Sequence, residues 1–254
     1  MDRALSGSRR SKGVIMSEVS RGSALAVIPA RGGSKRILRK NVRLFAGRPM
    51  IAYAIAAARE SALFSHIVVT TDDPEIAEIA VAEGAEVPFV RPAELADDFT
   101  PTVPVIKHAV VACQELGWHA SRVCCIYPGV PFIQSDDLRE ALALLDASGG
   151  DDYVFPVAHF ASPIQRALRR GPGGEVGPFD PQYAATRTQD LEPAYFDAGQ
   201  FYWGAAENWL AEKNIHANGR AIVLPSWRAV DIDTPEDWER AEALWRASRL
   251  PVGE

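Results

Sequence analysis

Two clusters of residues have the types and spacing that phosphate chemistry needs. The first is the run Arg31-Gly32-Gly33-Ser34-Lys35-Arg36-Ile37-Leu38-Arg39-Lys40-Asn41, with five basic residues within ten positions of an otherwise acidic chain. Gly32, Gly33 and Ser34 let consecutive backbone N–H groups turn inward and cradle an anion. Arg31, Lys35 and Lys40 add the charge to hold a triphosphate or to neutralise a departing pyrophosphate. The second is Asp231-Ile232-Asp233. Carboxylates at i and i+2 of an extended segment share a face, and two hard oxygen donors there suit Mg²⁺ that also binds substrate phosphate. Each cluster has a plainer reading. The first could be a solvated basic loop after an edge strand, and Asp233 could only favour the dipole of the helix that follows it.

Other chemistries find less support. The glycine loop is neither G-x-x-x-x-G-K-[ST] nor G-x-G-x-x-G, which removes a P-loop and weakens a hydride-transferring dinucleotide enzyme. No His/Cys set has zinc spacing, and no nucleophile triad is recognisable. His108, His119, His159 and His216 read as core or surface residues. Tyr127 stands near a strand end, where it could pack or hydrogen-bond against a ligand. Gln165, Arg166 and Gln200 are polar positions whose spacing alone gives little reason to assign them a ligand.

The elements that must position these residues follow from periodicity and punctuation. Leu25–Pro29 is a short buried strand that runs into the glycine loop. Helices are expected over 49–61, between Asp73-Pro74 and Gly84, over 103–116, after a Ser135 cap, around 208–213 and after Thr234-Pro235-Glu236-Asp237. Strands are expected at 66–70, 85–90, 122–127, 153–158, 200–203 and 221–224. Residues 159–198 break the rhythm with Pro, Gly and Arg, as an excursion or small subdomain. Alternating strands and helices imply an α/β fold of three layers, with a mostly parallel sheet covered on both faces and ligands along the carboxyl edge of its strands.

Bulk properties narrow the class. The 254 residues suffice for one large domain, here 23–250, preceded by a basic, polar arm over 1–22 that reads as disordered and not as a secretory signal. A net charge of −6 argues against a general nucleic-acid binder. No apolar run approaches the ~20 residues of a membrane helix. Cys113, Cys124 and Cys125 read as reduced, buried thiols of a cytoplasmic protein, with Cys124 and Cys125 on opposite faces of a strand.

The stretch Ile28-Pro29-Ala30-Arg31-Gly32-Gly33-Ser34-Lys35-Arg36 with Arg39-Lys40-Asn41 resembles the nucleotide-binding signature of the CMP-sugar synthetases that act on acidic sugars, and the resemblance runs from about residue 24 to about residue 247. Within that family the segments 124–127, 163–168, 197–204 and 231–238 are most similar to the pseudaminic acid branch. The resemblance implies a nucleotidyltransferase-type α/β domain, a protruding subdomain that pairs two subunits, a need for Mg²⁺, and attack of a sugar hydroxyl on the α-phosphate of CTP with release of pyrophosphate. By position it assigns Arg31, Lys35 and Lys40 to phosphates, Asn41 to the nucleotide, Arg91 to cytosine, and Asp231 and Asp233 to the metal. Tyr127, Gln165, Arg166, Arg187, Gln189, Asp190 and Gln200 fall on the sugar side, with Arg187 and Arg166 both open as the group that grips the sugar carboxylate. Leu38 replaces the usual proline, and Pro128-Gly129-Val130 departs from the usual run. Legionaminic acid, N-acetylneuraminic acid and Kdo remain alternative sugars, and a CTP-binding protein without turnover remains an alternative activity.

Overall fold

The computed structural model describes residues 24–250. The expected disordered arm, residues 1–22, lies outside them. The chain opens with β1 (Ala24–Pro29), followed by the basic loop and a short ribbon of β2 (Leu44–Phe45) and β3 (Arg48–Pro49). Then come α1 (Met50–Ser61), β4 (Phe64–Thr70), α2 (Pro74–Ala82), α3 (Thr102–Glu115), β5 (Arg122–Ile126), α4 (Ser135–Ala147) and β6 (Val154–His159). The excursion holds β7 (Leu168–Arg170) and β8 (Val176–Pro178), and β9 (Tyr195–Asp197) returns from it. The chain continues through β10 (Phe201–Ala205), α5 (Ala206–Leu210), β11 (Arg220–Leu224) and α6 (Pro235–Ser248).

The central sheet has the order β11-β6-β10-β5-β1-β4, with β9 also pairing β6. The strands β1, β4, β5, β6 and β11 run one way, and β9 and β10 run against them. The pleat sends alternate residues to two cores. Ala24, Ala26 and Ile28 join Cys124 and Ile126 on the face covered by α1, α2 and α4. Leu25 and Val27 join Val123 and Cys125 on the face covered by α3 and α5. The adjacent cysteines therefore do part to opposite faces, and Cys113 is buried as well.

A third cluster positions the chemistry. Phe45, Tyr53, Phe132 and Trp238 pack with Trp245 against it, and both Ile37 and Ile232 are buried among them. The tryptophans seven apart in α6 thus form the expected packing stripe. Ile37 lies inside the basic loop and Ile232 between the two aspartates. Burying these two apolar side chains draws both charged segments onto one anchor and leaves their ionic neighbours at its border.

Three local expectations are corrected. The 85–90 segment is not a strand: it makes a single parallel bridge, Val68 to Glu86, and Pro88 removes the next donor. Ser135 is the first residue of α4 and not its cap; extended Gln134 holds that place with no side-chain cap bond, and Ser135 Oγ accepts from Arg139 instead. The helix expected around 208–213 stops at Leu210, and Glu212 takes a left-handed φ of 53°. Two starts are as expected. Asp73 Oδ1 accepts from Ile76 N at 3.1 Å at the start of α2, and Thr234 and Asp237 form a reciprocal capping box at α6.

Candidate active site

The basic loop leaves β1 at the carboxyl edge of the sheet and borders a cleft of about 640 Å³. Arg31, Ser34, Lys35, Lys40, Asn41, Arg91, Tyr127 and Asp233 all line it, so most of the expected nucleotide residues converge there. Asp231 stands beside it, and Gly32 and Gly33 shape the loop without lining the cleft.

The loop is held by acids on neighbouring elements. Gly32 N donates to Asp72 Oδ1 at 3.1 Å. A Cβ at Gly32 would sit 2.5 Å from Asp73 Oδ2, so close approach of backbone to carboxylate requires glycine at this position. Arg39, at a left-handed φ of 56°, is clamped by Asp73 and Glu75 at the start of α2. Leu38 is exposed between buried Ile37 and the clamped Arg39.

Each cation facing the cleft meets an oxygen. Arg31 donates to Asp97 O at 2.8 Å and pairs with Asp98, which Lys35 also contacts. Hydrogen bonds from Lys35 and then Arg31 hold the Asp98 carboxyl below its ordinary range. Lys40 Nζ donates to Ile232 O at 2.7 Å and reaches Asp233 Oδ1 at 3.3 Å, while Arg36 reaches Asp233 Oδ2 at 2.7 Å. Lys40 therefore ties the first cluster to the second across 193 residues of sequence.

The far end of the cleft is drier. The Arg91 guanidinium is buried, donates to the Thr70 side chain and carbonyl, and is pushed down to about 10 by that burial, so it is protonated at neutral pH. Tyr127 Oη and Thr102 Oγ1 are 2.7 Å apart, and burial pushes the Tyr127 hydroxyl up to about 12. Asn41 donates from Nδ2 to Arg31 O at 3.0 Å, but its Oδ1 is buried with no protein donor. An acceptor left without a partner at a cleft wall is an open position for a ligand hydroxyl or amine.

The acidic pair fits a divalent cation in its donor chemistry. Although the Asp231 residue is exposed overall, protein around its carboxyl strips enough solvent to raise its pKa, and the nearby Asp233 charge raises it further. Two carboxylates that repel one another in this way gain from a cation between them. Among the described residues no group of three or more His, Cys, Asp or Glu side chains could hold a metal by itself, so phosphate or water oxygens would complete such a shell.

The sugar-side residues are not brought to this cleft, apart from Tyr127. Gln200 is buried, with its amide donating to Arg228 O at 2.7 Å beneath the sheet edge. Gln165, Arg166, Arg187, Gln189 and Asp190 lie on the excursion, where Arg166 approaches Thr188 Oγ1 at 3.4 Å and Gln165 donates to Glu192 O. None of these five residues lines the cleft, and neither does Gln200. Sequence reasoning in turn missed Arg36, Asp97, Asp98, Thr100 and Thr102. Arg36 lies within the basic run, but nothing local in the sequence ties Asp97, Asp98, Thr100 and Thr102 to the cleft.

Comparison with known proteins agrees with this geometry. The cytidylyltransferase family model matches residues 25–166. The pseudaminic acid cytidylyltransferase of Campylobacter jejuni subsp. jejuni serotype O:2 is 39% identical over 225 residues, 88% of this chain and 97% of that protein. The CMP-N,N'-diacetyllegionaminic acid synthase of Legionella pneumophila is 32% identical, over 87% of this chain and 95% of its own. A CMP:2-keto-3-deoxy-manno-octonic acid synthetase complexed with CTP shares the fold at a TM-score of 0.64 and 18% identity, covering 89% of this chain and 100% of that one. The fold is thus the nucleotidyltransferase type of α/β sheet. The chain belongs to the cytidylyltransferase family, enzymes that join CTP to a sugar to give a CMP-sugar.

Proposed function

We propose that this enzyme joins CTP to pseudaminic acid, giving CMP-pseudaminic acid and pyrophosphate, with Mg²⁺ held at Asp231 and Asp233. The observation that carries the reading is the meeting of the basic loop and the acidic pair in one cleft through Lys40 and Asp233. The choice of sugar rests on the 39% identity to the Campylobacter relative against 32% to the legionaminic acid enzyme.

In this reading Arg91 and the dry end of the cleft receive cytosine, and the free Oδ1 of Asn41 accepts from the nucleotide. Arg31, Lys35 and Lys40 exchange their carboxylate partners for phosphate oxygens and neutralise the charge that grows on the leaving pyrophosphate. Bound Mg²⁺ would supply Lewis-acid stabilisation of the phosphate oxygens and a lower pKa for a hydroxyl beside it. The chain's own residues set the line of attack. With base and triphosphate fixed, the α-phosphorus is presented to a sugar hydroxyl approaching opposite the leaving group.

The excursion over 159–198 serves as a dimerisation subdomain. Its ribbon of β7 and β8 exposes Leu168 and Val176, and Phe179 beside it is exposed too. A second subunit covering this surface would bring Arg166, Arg187, Gln189 and Asp190 to the neighbouring cleft, which suits sugar-side residues that are exposed and do not line their own. Among the described residues no helix is long and apolar enough to cross a membrane, and a cytoplasmic location suits the buried, unpaired thiols.

Pyrophosphate release from CTP tests the proposal, with pseudaminic acid beside legionaminic, N-acetylneuraminic and Kdo sugars and an EDTA control. Release that requires both pseudaminic acid and metal is expected. Release with another sugar alone would keep the reaction and overturn the substrate.

A further inference from the structure

The segment that carries the acidic pair leaves a buried ion pair on its way to the cleft. β11 ends at Leu224, and a tight turn over Ser226–Arg228 follows, with Arg228 N donating to Pro225 O at 2.9 Å. The Arg228 side chain is buried, as are Asp137 and Gln200. Its Nη1 donates to Asp137 Oδ1 at 3.2 Å, and its Nη2 pairs with the other carboxylate oxygen. Its Nε and Nη2 also donate to Phe132 O, at 3.3 and 3.2 Å. Gln200 Nε2 donates to Arg228 O at 2.7 Å, and Gln200 O accepts from Tyr127 N at 2.9 Å. Arg228 thus joins four stretches of chain. They are the first turn of α4 at Asp137, the anchor cluster at Phe132, the entry to β10 at Gln200, and the acidic segment that follows Arg228 itself.

Arg228 stands three residues before Asp231. Buried Val230 and Ile232 alternate with Asp231 and Asp233, which sets the two carboxylates on one side of the segment. Apolar burial has no direction of its own, so it fixes which way the carboxylates face and not how far along the segment lies. Hydrogen bonds supply that second constraint. The capping box of α6 holds the far end at Asp233 N and Thr234 N, and Lys40 holds the middle at Ile232 O. Arg228 holds the near end, and a planar fork that grips a carboxylate and a carbonyl together leaves little slack. We propose that Arg228 is a positioning residue for the acidic pair: its fork on Asp137 and Phe132 O sets where Asp231 and Asp233 stand against the phosphates of a bound nucleotide. This role rests on the metal reading above, because a cation shared by two carboxylates and a phosphate needs its ligands held to within about 0.5 Å.

The plainer role for a buried ion pair is in stability, since removing one partner leaves the other charge uncompensated. The two roles part in what they predict for ligands. The Arg228 side chain bonds to neither the basic loop nor Arg91, and it does not line the cleft. Loosened positioning should therefore weaken the use of metal and spare metal-free nucleotide binding. Lost stability alone lowers Tm and leaves both affinities of the folded protein as they were.

The test is calorimetric binding of CTP to the full-length protein without sugar, in EDTA and at saturating Mg²⁺. The ratio of the two affinities is the gain from metal, and Asp233→Asn gives its value with the acidic pair disabled. Arg228→Lys keeps a charge opposite Asp137 but has no fork to reach Phe132 O as well. Gln200→Met keeps the length of the side chain and removes the donor to Arg228 O. Arg228→Lys should cut the gain from metal by about tenfold or more, the scale for outer partners of a metal site, and Gln200→Met should cut it by less. Affinity in EDTA should stay within about twofold of wild type in both, as for sites that share no partner. The Mg²⁺ needed for half-maximal turnover should rise, while kcat at saturating Mg²⁺ changes less. A gain from metal within about twofold of wild type in both folded variants overturns the proposal. Equal losses with and without metal also overturn it, by reducing Arg228 to a general structural part. If Arg228→Lys does not fold, Arg228→Met combined with Asp137→Leu removes the pair without leaving a buried charge and is read the same way. A wild-type gain no larger than that of Asp233→Asn would instead remove the metal reading, and with it anything for Arg228 to position.

Discussion

At the scale of single residues, most cations of the cleft are already neutralised by the chain itself, and two substitutions read out that arrangement. Asp98 takes Arg31 and Lys35, the cations a triphosphate would use, so the nucleotide must displace a carboxylate. Asp98→Asn removes the competitor, and CTP binding should tighten by about two- to fivefold, the range of exposed ion pairs. A titration without sugar measures this, and weaker binding would show that Asp98 orients the cations instead. Asp233 does the reverse work, because its partners Lys40 and Arg36 leave its charge facing the cleft. Asp233→Asn should keep the unfolding curve within about 1 kcal/mol of wild type, since surface pairs contribute little. Turnover should fall at least about a hundredfold as cation stabilisation of the phosphates is lost. Unchanged turnover across a Mg²⁺ titration would remove Asp233 from the metal site. Both clusters were legible in the sequence because charge density and glycine spacing are local properties. Asp98 and Thr102 were not, because their importance lies in what they face across the cleft.

At the scale of elements, the cap of α6 is also the brace of the acidic pair. Asp237 Oδ2 accepts from Thr234 N at 2.8 Å and from Asp233 N at 3.2 Å, so the capping box fixes the backbone that aims Asp233. Thr234→Ala should lower stability by about 1 kcal/mol, as N-cap losses do, and should weaken Mg²⁺ activation in the same variant. Thermal unfolding and a metal titration check the two effects, and a stability loss with unaltered activation would separate the cap from the site. The acid limb carries a sign that can be worked out. Bonds from the Thr234 side chain, then from the backbone of Thr234 and Asp233, hold Asp237 below its ordinary range. Its contribution is therefore complete above the usual carboxylate range and is lost as pH falls through the depressed value. Asp237→Asn should flatten acid unfolding in that window. The box itself could be read from Thr234-Pro235-Glu236-Asp237, as could the strands whose apolar runs end at turn residues. The elements that failed did so for tertiary reasons. Residues 85–90 have strand composition, but they meet β4 through a single bridge before Pro88 ends the pairing.

At the scale of the whole molecule, the excursion exposes apolar side chains at Leu168, Val176 and Phe179. Leu168 pairs with Pro178 and Arg170 with Val176, so the pleat puts Leu168, Val176 and Pro178 on one face of a two-stranded ribbon. A lone ribbon with an exposed apolar face is marginal in water, and covering it with a second copy would stabilise it. Composition alone marked residues 159–198 as irregular and could not say where they point, because the direction of a ribbon depends on tertiary contacts that no local pattern encodes. If the excursion reaches the neighbouring cleft, function should be divisible between subunits. One variant, Asp233→Asn, has a disabled cleft and an intact excursion. Another, Arg166→Ala with Arg187→Ala, has an intact cleft and a disabled excursion. Each homodimer should turn over poorly. Co-expressed with different tags and purified as heterodimers, they should recover about half of wild-type activity, because two-fold symmetry completes one of the two sites. An excursion that serves its own cleft predicts no recovery, since neither subunit then holds a complete site. Sedimentation at the assay concentration separates that outcome from a failure to dimerise, and Val176→Glu supplies the monomer reference, with CTP binding expected to survive and sugar turnover to be lost.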